Sequence, residues 1–295
     1  MQLVAMGAQD VFLTGNPQIT FFKVVYRRHT NFSKEAIKQE WSGSSNRKTC
    51  TLSRNGDLVQ EIYIQGTGLG NSHVTSVAVE VGGQQIDKHY ATWLDIYDDL
   101  FDTNVNLKKQ IDTNYLPLRF WFNRNAGLAL PLIALQYHEV KIIGEFTGLD
   151  ASNTVDSLLV NYIYLDTDER RRFAQVSHEY LIEQVQYTGI ENFSAGGKAI
   201  TLTYNHPVKA LFWKGMANQA YNAKLQLNGH DRFSEQSDVY FSGVQPYECG
   251  LKLPRGTTAA TITPHDNPGM YSFCLKPGEH QPSGTCNFSR IDNAR

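Results

Sequence analysis

No run of apolar residues in the sequence approaches the roughly 20 that a membrane-spanning helix requires. Cysteine is scarce. The four present, Cys50, Cys249, Cys274 and Cys286, form no Cys-x-x-Cys pair, which removes the usual zinc-ribbon and thioredoxin-type patterns and favours free thiols in a reducing compartment. A basic excess is also missing. With 27 Lys and Arg against 29 Asp and Glu, the net charge is −2, so no direct nucleic-acid binding is expected. The short clusters Arg27-Arg28-His29 and Arg170-Arg171-Arg172 read as solvated faces or local ion pairs. Met1 to Asp10 has neither the basic flank nor the long apolar stretch of a secretory signal, which favours a cytosolic start.

The patterns of catalysis are absent as well. None of the nine histidines sits in a His-x-His or His-Glu-x-x-His spacing, so spacing supports no metal site. Nucleophile elbows and phosphate-binding glycine loops are not found. His265-Asp266 lies in the run Thr263-Pro-His-Asp-Asn-Pro-Gly, where Asp and Asn serve turn chemistry. The triplets Asn31-Phe32-Ser33, Asn192-Phe193-Ser194 and Asn287-Phe288-Ser289 match the glycosylation sequon, but without a secretory signal they read as ordinary turns. No catalytic, cofactor-binding or metal-ligating residue is assigned, and neither enzymatic activity nor a cofactor is expected.

What the chain does contain is a globular, strand-forming composition: 41% hydrophobic, 19% charged and 12% aromatic residues. Period-two alternation predicts half-buried antiparallel strands. In Thr75–Val81, Val77, Val79 and Val81 face one way, with Ser76, Ala78 and Glu80 opposite; in Ala199–Tyr204, Ile200, Leu202 and Tyr204 point inward. Further strands are predicted at Ile37–Trp41, Leu58–Gln65, Leu118–Phe122, Tyr137–Phe146, Leu158–Leu165, Tyr180–Tyr187, Val208–Trp213 and Met270–Leu275. Asn55-Gly56, Gly82-Gly83 and Asn228-Gly229 supply the positive φ that two-residue hairpins need. Helices are few. Ala91–Phe101 carries Trp93, Leu94, Tyr97, Leu100 and Phe101 at helical spacing, and Asp166–Val176 opens with Asp166 and Glu169 as a capping box.

A weak internal duplication accompanies these elements. Val79–Ile86 aligns with Leu225–Arg232, and Phe120-Trp121-Phe122 with Tyr271-Ser272-Phe273, at similar offsets. The small polar stretch Thr147–Asn153 reads as a linker between two β modules. Many short strands with sparse helix imply sandwiches or barrels.

The polar tail Glu279-His-Gln-Pro-Ser-Gly-Thr-Cys-Asn-Phe-Ser-Arg-Ile-Asp-Asn293 resembles a signature of the major capsid proteins of nucleocytoplasmic large DNA viruses, the iridovirus and chlorella-virus type. The stretch Gly7–Ser33 resembles a second. Ser53–Leu58, Val81–Tyr90, Phe120–Asn125, Leu128–Val140, Asp168–Gln175 and Val244–Tyr247 follow in the family's order. The resemblance implies an all-β protein of two tandem jelly rolls with a few short helices in loops. Residues 1–26 would form an N-terminal arm and first-strand region, 27–147 the first roll and 148–295 the second, with the second roll's last strands missing. It implies a structural subunit of an icosahedral capsid, forming homotrimeric, pseudo-hexagonal capsomers that meet neighbouring capsomers. Minor capsid proteins, and the internal viral membrane, would be met at the inner face. Arg27 and Arg28 are the expected contact residues at that capsid base. The protein would be made and assembled in host cytoplasm and reside in the virion. The short Gln65–Asn71 connection departs from the family pattern. A competing reading is a capsid paralogue whose jelly-roll loops bind glycans, as in lectins; a metal-dependent cupin is the enzyme-class alternative.

Overall fold

The computed structural model describes residues 7–21, 27–43, 46–101, 114–192, 197–215, 220–252 and 267–295. The chain divides into two units, Met1–Phe32 and Ser33–Arg295. In the first, a short helix α1 (Asp10–Thr14) is closed by the Gly15 amide donating to the Val11 carbonyl. Val11, Phe12, Leu13, Ile19 and Phe21 all lie exposed. Residues 22–26 of the expected first strand lie outside the described residues, and the first described strand begins at Phe32.

The second unit opens with a two-sheet sandwich. One sheet runs in the order β1 (Phe32–Glu40), β9 (Thr154–Leu165), β3 (Leu58–Thr67), β6 (Tyr115–Pro117), with β7 (Leu130–Pro131) also on β3. The other runs β2 (Arg47–Thr51), β8 (Val140–Phe146), β4 (Val74–Val81), β5 (Gln84–Tyr90). The ladders given by register are antiparallel.

Alternation explains why these segments form a sandwich. Val140, Ile142, Gly144 and Phe146 of β8 are buried while Lys141, Ile143 and Glu145 between them are partly exposed. On β3, Ile62 and Ile64 point inward and Glu61, Tyr63 and Gln65 are half-covered. The inward faces join with Val59, Val77, Val79, Leu158, Val160 and Tyr162 in one core, each fully buried aliphatic side chain contributing about 1.5–3 kcal/mol. Gly66 sits at an irregularity in the β3–β9 ladder, where a Cβ would run into the Thr154 carbonyl; only glycine lets the two backbones approach so closely.

Several expectations need correcting. Ser76 and Ala78, on the face opposite Val77 and Val79, are buried as well, and Ser76 Oγ donates to Glu145 Oε2 on the neighbouring β8; helix α2 (Ala91–Leu100) follows β5. Leu118–Phe122 is not a strand: it turns at Phe120 into helix α3 (Trp121–Arg124). Phe120, Trp121 and Phe122 are all buried, and the Phe120 amide bonds the Asn123 side chain, closing the first turn of that helix. Asn55-Gly56 joins β2 and β3, which lie in different sheets, and so makes no hairpin. Thr147–Asn153 is not an inter-module linker but the turn between β8 and β9, organised by Asp150. Since β9 completes the first sandwich, strand pairing carries that module beyond residue 147 to Leu165.

The other two glycine turns form as expected. Gly82 and Gly83 have φ of 60° and 85° between paired Val81 and Gln84. Asn228 and Gly229 have φ of 52° and 80° between Leu227 and His230. Both are two-residue turns with positive φ at each position, at corresponding places in the proposed duplication.

Beyond β9, helix α4 (Thr167–Gln175) begins at Asp166, whose Oδ1 accepts from the Thr167 amide. Arg170 Nε, 3.0 Å from Asp57 Oδ1, ties the helix to the sandwich. The second half is built from short antiparallel ladders: β10 (Pro207–Val208) with β17 (Cys286–Asn287), and β11 (Ala210–Trp213) with β16 (Gly269–Ser272). Two more join β12 (Asn222–Ala223) to β15 (Gln236–Ser237) and β13 (Gln226–Leu227) to β14 (His230–Asp231). A five-residue π-helical turn, Tyr240–Val244, leads into α5 (Gln245–Glu248).

The predicted strands Tyr180–Tyr187 and Ala199–Tyr204 belong to no ladder among the described residues. Their alternation is nevertheless real in burial, with Ile200, Leu202 and Tyr204 half-covered and Thr201 and Thr203 exposed. At the tail, Asn293, Ala294 and Arg295 accept from the amides of Asn228, Leu202 and Gln226. The Arg295 amide returns a bond to Gln226, so these last residues lie alongside β13.

Candidate assembly interface

Helix α2 sits between the sandwich and the second half. Its Leu94 enters the sandwich core. Ile96 and Leu100, with Trp93 and Phe101, pack on Phe212 of β11, Met270 of β16, Cys249 and Leu251. Phe212 meets the edges of Trp93 and Phe101 at centroid distances of 5.5 and 5.7 Å, arrangements worth about 0.5–1.5 kcal/mol each beyond simple burial. The Lys252 amide donates to the Leu100 carbonyl at 3.1 Å. A helix with apolar residues on two opposite faces is one buried between two bodies. That was the available sequence signal for this seam; its partners Phe212 and Met270 carried none.

Charged groups extend the seam. Glu183 accepts from Arg124 Nη1 at 3.0 Å and from Lys209 Nζ at 2.5 Å, so one carboxylate joins α3 to the residue just before β11. Lys209 also donates to the Glu279 carbonyl. The guanidinium groups of Arg119 and Arg124 lie over the Tyr97 ring at 5.1 and 5.8 Å, and Arg119 pairs with Asp98 at 3.0 Å. Lys214 reaches Asp95 at 3.4 Å.

The extended segment Tyr180–Tyr187 straps the edge strand β5. Tyr180 and Ile182 pack on the sandwich core. Gln184 Nε2 donates to the Ile86 carbonyl, the Val185 amide to Asp87 Oδ1, and the Tyr187 ring lies 4.6 Å from that of Tyr90. Burial and the neighbouring Tyr90 and Tyr204 push the Tyr187 phenol above its usual value. The strap therefore satisfies edge groups of β5 through side chains, one of the ways an exposed sheet edge is covered.

The apolar cleft of about 480 Å³ between α4 and the sandwich is lined by residues such as Ile86, Trp121, Leu130 and Phe173. Its His178 ring stacks on Phe173 and hydrogen-bonds the Phe173 carbonyl. Among the described residues no group of three or more His, Cys, Asp or Glu could hold a metal ion, and no helix is long and apolar enough to cross a membrane. His265 and Asp266 lie outside the described residues. Arg27 and Arg28 are exposed and irregular in the first unit. Asn287, in the third sequon, accepts from the Ser289 amide and caps a short helical turn whose Phe288 is buried.

Comparison with known proteins identifies the family to which this β-rich fold belongs. A model of the major capsid protein N-terminus matches residues 20–166. A model of the large eukaryotic DNA virus major capsid protein matches residues 169–222 and 214–295. The major capsid protein of Pyramimonas orientalis virus is 51% identical, the match covering 100% of this chain and 90% of that protein. That of Paramecium bursaria Chlorella virus 1 is 42% identical, over 99% and 85%. The first alignment runs over 358 positions against 295 residues here, so that relative carries residues without a counterpart in this chain. Among solved structures, the quasi-atomic model of the latter virus's capsid superposes with a TM-score of 0.79 at 38% identity, covering 93% of this chain and 86% of that one. The Faustovirus major capsid protein shares the fold at TM-score 0.72 and 11% identity. The chain belongs to the large eukaryotic DNA virus major capsid protein family, with that family's double jelly-roll fold, and it is a structural protein of the virus capsid.

Proposed function

We propose that three copies of the chain close around a threefold axis into a pseudo-hexagonal capsomer, and that such capsomers tile the outer shell of an icosahedral capsid. The observation that carries this reading is the seam. Two jelly rolls joined through α2, Phe212 and the Glu183 ion pairs can act as one stiff block, so a trimer presents six rolls. Heterologous contacts, one patch against a different patch, close such a ring. The first roll ends at Leu165 and the second follows it. The role is structural, without catalysis.

The first unit is the arm in this scheme. Its exposed Phe12, Leu13 and Phe21, with the exposed Arg27 and Arg28, suit contact with minor capsid proteins or the internal membrane at the inner face. Synthesis and assembly take place in host cytoplasm. Light scattering on a size-exclusion column should return three times the 33.3 kDa chain mass, and a variant lacking residues 1–26 should likewise return three times its own, smaller chain mass. A stable monomer at assembly concentration would sink the proposal.

A further inference from the structure

We propose that Cys249 and Cys274 are a disulfide-forming pair that bridges α5 to the segment following β16 once the capsid meets an oxidising medium. Cys249 caps the C-terminal end of α5, and Cys274 follows β16 by two residues. One hydroxyl neighbours both. Ser272 Oγ lies 3.4 Å from Cys274 Sγ and donates to the Cys274 carbonyl at 2.6 Å, and both Ser272 and Cys274 act electrostatically on the Cys249 thiol. The elements carrying them are fixed to each other as well: the Ser272 amide donates to Gln245 Oε1 at 3.3 Å, and Cys249 and Met270 share one apolar cluster. Bridging requires the two side chains to turn toward each other past the Ser272 hydroxyl until the sulfurs reach about 2.05 Å. The other two cysteines sit elsewhere, Cys50 in the sandwich core and Cys286 on β17.

The chemistry is thiol–disulfide exchange with a small disulfide such as oxidised glutathione. One cysteine thiolate attacks the small disulfide, forming a mixed disulfide and releasing one small thiolate. The second cysteine thiolate attacks the mixed disulfide, closing Cys249–Cys274 and releasing the other. Two protein thiols are oxidised, one small disulfide is reduced, and the two protons leave on the released thiols. Burial raises the Cys249 thiol above its usual value, so its thiolate is scarce, and both residues are only 8% exposed, so access is limited and closure is slow. Slow closure suits an event after assembly, and disulfides persist at virion surfaces.

The test exposes reduced native protein, and protein refolding in a glutathione redox buffer, to oxidised glutathione. Non-reducing peptide mapping should recover one cross-linked pair, Cys249 with Cys274. Thermal unfolding should rise by roughly 5–10 °C for a bridge closing a loop of this length. The rise should vanish with dithiothreitol and in Cys249→Ser. Absence of that cross-link in both preparations overturns the proposal, as does a bridge that instead joins either cysteine to Cys286. The mapping is done on the unaltered chain, so it decides the matter even if the variant fails to fold.

Discussion

His89 Nε2 and Asp87 Oδ2 stand 3.0 Å apart, and each side chain is about 1% exposed. The pair lies on β5, the strand under the strap. The His89 ring stacks on Phe120 at 4.4 Å, and the other Asp87 oxygen accepts from the amides of Lys88 and Val185. One carboxylate therefore orients a core imidazole and anchors the strap.

Asp87→Ala leaves the His89 nitrogen and the Val185 amide without their acceptor in a buried site. Such losses cost about 2–4 kcal/mol, measurable by urea unfolding of the intact chain. Amide exchange at Val185 should speed up along with the global loss. Wild-type stability in Asp87→Ala would show that the pair is dispensable.

Glu183 makes a separate prediction about the seam. Glu183→Ala removes the acceptor of both Arg124 and Lys209. Because the carboxylate is 28% exposed, solvent screening keeps the cost to about 1–2 kcal/mol. A double-mutant cycle with Lys209→Ala should give a coupling of about 0.5–1.5 kcal/mol. Additive effects would mean that the contact contributes nothing to joining the rolls.

The β8–β9 turn should register acid. Asp150 Oδ1 accepts from the amides of Ser152 and Asn153 at 2.7 and 2.8 Å. These bonds hold the carboxyl below its usual range. A carboxyl lowered in the folded state adds stability that is complete above its unfolded pKa, about 3.9, and is lost as pH falls through the folded value. Asp150→Asn should therefore unfold at a lower temperature than wild type above about pH 5, with the gap closing below about pH 4. A gap that stays constant to the lowest pH reached would refute the linkage.

The sandwich strands were legible because side-chain alternation is imposed by a covered face. β3, β4, β8 and β9 all lie where alternating or apolar runs placed them. The same reasoning misled at Tyr180–Tyr187 and Ala199–Tyr204. Alternation reports that one face is covered; it says nothing about whether backbone edges find a ladder, and here side chains of the strap meet β5 instead. The run Phe120-Trp121-Phe122 looked like a strand because an apolar triplet carries no period by itself. Glycine turns were identifiable, but whether Asn55-Gly56 closes a hairpin depended on which sheets its flanks join, a tertiary fact. The seam was half-visible: α2 showed its apolar faces, whereas Phe212, Met270 and Glu183 owe their roles to partners remote in sequence.

The pairing of β1 with β9 also sets a schedule for synthesis. A ribosome releases β1 early, yet its neighbour in the sheet is not complete until residue 165. At 5–20 residues per second, the first strand waits on the order of 10 s with both edges unsatisfied. During that interval the nascent first roll is an open template for other chains, and at the high output of a shell protein many such chains coexist. The stage of this protein's life most dependent on chaperones is therefore the elongating chain rather than the finished subunit.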